Sequence, residues 1–188
     1  FPDNGYGPRA PEAPATSIDP INTINGNVSR DETDLVIPCP GIPLAFSRSY
    51  NSSVTNTHSP VGQHWRHAYQ WSAETGMVTT AVSLSDGSAP SVMVQGLKIV
   101  TAQGQQVTLV RYGQGQEWRN PSSTPWVAHG PSNDEYEVVM SFDQRYYFDA
   151  TNGLLKRITE PGSNVVSFSY VATNIAPGWL LASAVHTN

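Results

Sequence analysis

Turn-forming pairs cut this chain into pieces too short for a long helix. Asn25-Gly26 and Asn152-Gly153 have the chemistry for positive φ and tight hairpins. Asp86-Gly87, Gln103-Gly104 and Pro161-Gly162 mark further turns. The runs between them are short and alternate apolar with polar residues, and none carries a helical apolar stripe. Strands are predicted at 27–37, 43–51, 64–73, 77–84, 91–94, 97–101, 105–111, 136–142, 145–149, 154–159, 165–171 and 179–186. The fold class that follows is all-β: an antiparallel, hairpin-rich sheet or ribbon.

Parity assigns some faces. Leu44, Phe46, Arg48 and Tyr50 share one face of their strand, opposite Ala45, Ser47 and Ser49. Val166, Phe168 and Tyr170 oppose Ser167 and Ser169, as in a sheet with one buried face.

Two stretches break the pattern. Residues 1–18 hold Pro2, Pro8, Pro11 and Pro14 with no apolar period, and predict an extended proline-rich arm. Residues 112–134 predict a long loop within an irregular β region, 74–142. This loop holds Trp118 and Trp126 beside Gln116, Asn120, Ser122 and Asn133.

Charge narrows the function classes. The net charge is −5, with only 13% charged residues and no Lys/Arg cluster, which argues against nucleic acid. No apolar run is long enough for a membrane-spanning helix. The single cysteine, Cys39, has no internal disulfide partner; it is a small buried apolar group, an intermolecular bridge or a nucleophile, and the first is the expectation. The first residue is Phe1 rather than Met, which predicts a processed or excised piece.

Between the first two strands lies a crease, Pro38-Cys39-Pro40-Gly41-Ile42-Pro43. Proline cannot donate to a β ladder, so pairing cannot run straight through it. Gly41 permits a turn that the prolines stiffen. The crease supplies no acid, base or activated nucleophile; its work is shape. Asp34 and Arg48 are placed to pair across it.

Residues 19–71 here resemble the module that opens the core of Rhs/YD-repeat proteins. The matching positions include Asp19, Pro20, Asn22, Gly26, Glu32, Thr33, Asp34, Pro38, Gly41 and Pro43. They continue through Leu44, Phe46, Arg48, Tyr50, Gly62, Trp65, His67 and Tyr69. Residues 19–73 are accordingly read as the opening module. Residues 143–188 resemble two YD-like repeats, with Tyr146, Phe148, Asp149 and Gly153 in register and Val171 where the family has Asp. The resemblance implies a β-hairpin ribbon that, in long relatives, spirals into a shell around a C-terminal cargo, often a toxin in bacterial polymorphic systems. It also implies a secreted or cell-surface bacterial setting. The family's autoproteolytic Asp-Pro context near the shell's end does not occur here, so self-cleavage is not expected.

The remaining candidates for chemistry are few. His58, His64 and His67 lie near Asp31, Glu32 and Asp34, which raises a His-based metalloenzyme. On a strand, however, His64 and His67 face opposite ways, and structural histidines are the expectation. Trp65, Trp71 and Trp179 fall in predicted strands and are expected in the core. Trp118 and Trp126 either cap an open end of the sheet or, with Asn120 and Gln116, stack on a glycan or protein partner.

The chain is thus expected to be a non-enzymatic scaffold acting in assembly or adhesion, without catalytic residues, metal or cofactor. Its expected partner is another protein chain or a second copy, joined through sheet edges. A carbohydrate-binding module is the alternative.

Overall fold

A computed structural model describes residue 21 and residues 26–54, 59–81, 87–111, 115, 117–121, 125–140, 143–174 and 178–188. The predicted arm at 1–18 lies outside them, as do Asp19, Pro20, Asn22, Asn25, His58, Asp86, Gln116 and Ser122. The described residues form thirteen strands and no α-helix.

Three strands make a small antiparallel sheet in the order β1 (Ser29–Ile37), β2 (Leu44–Asn51) and β3 (Trp65–His67). The other ten form one meander in which each strand pairs with its sequence neighbours. They are β4 (Ser72–Ala81), β5 (Ser91–Val100), β6 (Gln106–Arg111), β7 (Glu117–Arg119) and β8 (Val127–Ser132). The ribbon continues through β9 (Glu135–Val139), β10 (Arg145–Asp149), β11 (Leu155–Thr159), β12 (Val165–Ala172) and β13 (Trp179–Thr187). Every pairing in both sheets is antiparallel.

Alternation builds one buried face. In β5 and β6, Leu97 opposes Leu109 and Ile99 opposes Val107, while Lys98 and Thr108 point the other way. A single row of side chains then crosses the ribbon: Trp118, Ala128, Val138, Tyr146, Ile158 and Val166, each paired in register with the next. A parallel row runs Tyr136, Phe148, Leu155. These cross-strand apolar pairs are the stabilising units of the sheet. In β12, Val166 is buried and Ser167 and Ser169 are exposed, as parity predicts.

The ribbon curls until its start meets its middle. Ser72 bridges Leu154, and the Ala73 amide donates to the Gly153 carbonyl at 2.9 Å. Gly153 has φ +72°, and a Cβ there would lie 2.1 Å from the Ala73 oxygen. Only glycine allows the two backbones this close.

Three elements differ from their sequence expectation. Residues 64–73 are not one strand: after β3 the chain turns, with Gln70 N–H donating to the His67 carbonyl at 2.9 Å, before β4 begins. No glycine or proline announces that turn. Conversely, β5 runs unbroken through Gln95-Gly96, held in register from Ser72↔Val100 to Ala81↔Ser91. The ladder overrides the local turn preference. Finally, 112–134 is not a long loop, because it contains β7 and β8.

Candidate functional site

The small sheet packs on the curled ribbon through the crease, through Arg66, which donates to the Ala102 carbonyl, and through Tyr69, whose ring lies 4.8 Å from Phe168. Ile42 packs on the ribbon's core, and the Pro40 carbonyl accepts a bond from His186 Nε2 at 2.9 Å. Gly41 has φ +75°, and a Cβ there would meet Asn164 Nδ2 at 2.2 Å. Pro38 and Pro43 flank this docking point as exposed residues. Cys39 is only partly buried, with its Sγ 3.5 Å from the Ile37 carbonyl; the expectation of a buried thiol is corrected.

Behind the crease, one face of the small sheet is a continuous stack. A register shift between Thr33 and Leu35 leaves Asp34 as the extra residue of a bulge. Its carboxylate receives Arg48 Nε at 2.6 Å and Nη2 at 2.8 Å, a two-point pair at the surface. This hydrogen bond holds the Asp34 carboxyl below its usual range. The Arg48 guanidinium lies 5.2 Å from the Trp65 ring, and Tyr50 lies 5.4 Å from the same ring. Trp65 is half-buried in this stack rather than in the core.

The histidines have separate structural tasks. His64 sits at φ 63°, with Nδ1 2.7 Å from the Val54 carbonyl. His67 is buried, stacked on Phe46 at 5.7 Å, and its Nδ1 accepts from the Tyr69 amide at 3.3 Å. Burial, followed by the nearby Arg66 charge, depresses its pKa to about 4, so the ring is neutral at pH 7. Among the described residues no group of three His, Cys, Asp or Glu side chains could hold a metal ion.

Tyr146 and Asp149, near the two ends of β10, take different tasks. Tyr146 packs on Trp71 at 4.7 Å, and burial, with Glu160 nearby, raises its pKa to about 12. Asp149 closes the β10–β11 turn: its Oδ1 accepts from Thr151 N at 2.8 Å and Asn152 N at 3.1 Å.

The tryptophans fall out differently from their sequence positions. Trp118 is 2% exposed, with Nε1 donating to the Gly130 carbonyl at 3.1 Å and Arg111 4.6 Å over its ring. It has no open face for a sugar, and the expectation of a loop aromatic at this position is corrected. Trp126 is half-buried, 6.3 Å from Trp71, itself half-buried just before β4. Asn120 is also half-buried. Trp179, expected in the core, is 39% exposed at the start of β13.

Trp179 and Trp71 instead help line a cavity of about 510 Å³ between the small sheet and the ribbon. Arg66, His67, Gln70 and Tyr170 complete much of its wall. These residues come from distant parts of the chain, so no local sequence signal could have grouped them.

Residues 18–92 match the model of a family described only as a domain of unknown function, DUF6531. That span covers β1 to β4 and the start of β5, and so includes the crease, the Asp34–Arg48 bulge and the whole small sheet. No curated protein matches the chain.

Proposed function

We propose that this chain is a non-enzymatic scaffold of the Rhs/YD-repeat type, extended by strand addition on β13, in a secreted or cell-surface setting. The observation that carries the reading is the edge itself. Within the described residues β13 ends the ribbon with one side uncovered. Its sequence, Trp-Leu-Leu-Ala-Ser-Ala-Val-His-Thr, contains no Lys, Arg, Asp, Glu or Pro. Edges that must stay unpaired are usually guarded by charge, proline or strong bulging. The contrast is β1, the outer strand of the small sheet, which carries Arg30, Asp31, Glu32 and the bulged Asp34. On β13 only Ala182 falls out of register, and Leu180 and Val185 are exposed. A further strand, from the same ribbon or from a second copy, would pair there through the backbone and cover these side chains.

Other features support a structural role. Asp34 is committed to Arg48, His64 to Val54, His67 to Phe46 and Tyr69, and Asp149 to its own turn. The ribbon, one strand after another in sequence order, suits growth by addition of hairpins. No helix among the described residues is long and apolar enough to cross a membrane.

Size-exclusion chromatography with light scattering tests the reading. The parent chain is expected to associate at high micromolar concentration, and Leu180→Lys with Val185→Lys is expected to return it to a monomer. A parent chain that stays monomeric, or a double variant that associates as well as the parent, refutes it.

A further inference from the structure

Arg66 occupies an unusual place. It is 7% exposed, and the cavity between the two sheets opens against it. Its Nε donates to the Ala102 carbonyl at 3.2 Å and its Nη2 to the Gln70 carbonyl. Both partners are neutral carbonyls, and Nη1 makes no hydrogen bond among the described residues. No carboxylate among them pairs with this guanidinium. Burial accordingly depresses its pKa to about 10, with no acidic neighbour opposing the shift. At pH 7 the group still carries its charge. A buried cation without a counter-ion is costly, and an anion entering the site would relieve that cost.

The rest of the wall specifies the body of the guest. Three aromatics have polar atoms engaged within the protein: Tyr69 Oη accepts from Ala45 N at 2.9 Å, Trp71 Nε1 donates to Ala68 O at 3.1 Å, and Tyr170 Oη donates to Leu155 O at 2.8 Å. These rings offer the cavity mainly carbon, with the Tyr69 O–H hydrogen left as a donor. Val54, Val100, Leu154 and Leu181 add aliphatic surface. Gln70 Oε1 is also taken, by Ser59 Oγ at 3.1 Å and His67 N at 3.3 Å. His67 is uncharged at neutral pH and does not compete with Arg66 for an anion. Ser53, Ser72, Gln106 and the Gln70 amide N–H groups keep part of the wall polar, while the rings and aliphatic side chains give a flat apolar group carbon on several sides. A cavity of about 510 Å³ lies within the range of small-molecule sites.

We propose that this cavity binds a small organic carboxylate with a flat apolar body, its carboxylate paired with Arg66 and its body held among Tyr69, Trp71, Tyr170 and Trp179. Guanidinium–carboxylate pairs in such an environment are strong and geometrically selective. The site shares Trp179 and Leu181 with β13, but its cation, Arg66, comes from β3, so loss of carboxylate binding and loss of pairing along β13 are read separately.

Naphthalene-1-acetate and its uncharged amide, naphthalene-1-acetamide, test the assignment by calorimetric titration of the full chain at pH 7. The acid is expected to bind at least about ten-fold more tightly than the amide, a difference near 1.4 kcal/mol. Arg66→Gln is expected to bring the acid down to the amide's affinity while leaving the amide unchanged. Because Arg66 also ties Gln70 to Ala102, Leu181→Trp serves as a second variant that fills the cavity from β13. It is expected to abolish binding of both probes with an unchanged circular dichroism spectrum. Equal affinity of the parent chain for acid and amide overturns the proposal. So does a parent chain that binds neither at millimolar concentration, or a folded Leu181→Trp variant that binds the acid undiminished.

Discussion

Replacing Trp118 with alanine separates a core role for this residue from a surface role. Its side chain is 2% exposed and abuts Ala128 in the register of β7 and β8. Tyr136 meets it edge-on at 6.2 Å. Truncation of a buried aromatic costs about 3–5 kcal/mol through lost transfer free energy and the cavity left behind. The Gly130 carbonyl would also lose its indole donor. For a domain of this size each kcal/mol lowers Tm by roughly 2–4 °C, so a fall of about 6–20 °C is expected. Trp118→Phe keeps most of the ring but not the N–H, and is expected to lose about 1–3 kcal/mol. Urea and thermal unfolding followed by circular dichroism measure both. A loss below about 1 kcal/mol for Trp118→Ala, with an unchanged urea m-value, would refute the assignment of this ring to the core.

Gly153→Ala is expected to destabilise by more than about 2 kcal/mol, because φ +72° penalises any Cβ and the Ala73 oxygen stands 2.1 Å from it. Gly162→Ala, where nothing lies within 4 Å of the new Cβ, is expected to cost less; similar losses in thermal melts would contradict the close approach. Stability should also rise with pH between about 4 and 6.5. His67 has its folded pKa lowered to about 4 against about 6.5 unfolded, so the unfolded chain binds more protons in that window. The loss on acidification is of the order of 3 kcal/mol and complete near pH 4, and His67→Gln should flatten the slope between pH 4 and 6.5. Asp34, Glu135 and Glu137 act lower: their carboxyls are held below the usual range, so their contributions fade only as pH drops through the acidic limit. An urea series that shows no pH dependence above pH 4 would contradict the buried neutral imidazole.

Much of the β1–β2 region was legible because its signals are local. Pro38, Gly41 and Pro43 announce a corner, and the corner is there, docked on Asn164 and Pro40's partner His186. Asp34 and Arg48 pair as expected, although the bulge that brings them together leaves no mark in composition. Asp149 closes the turn after β10, and Tyr146 packs against the core on Trp71. The failures share a different cause. The turn after β3 uses the His67 ring and carbonyl in place of a glycine or proline. In β7 a buried Trp118 stands between the exposed Glu117 and Arg119, three residues that alternate correctly but are too few to register as a strand. Arg66 reads as an unremarkable spacer between Trp65 and His67 until the ribbon supplies Ala102 from the other side.

Strand content, the positions of most turns and the buried face of β12 follow from the amino-acid order alone, because a two-residue period and turn chemistry act over a few bonds. Which surfaces meet does not follow from it. That Ser72 returns to Leu154, that Gly41 reaches Asn164, and that a buried guanidinium faces a cavity all depend on how the ribbon curls. Curvature accumulates from twist and bulges along ten strands, so it is a property of the assembled sheet and of no single segment.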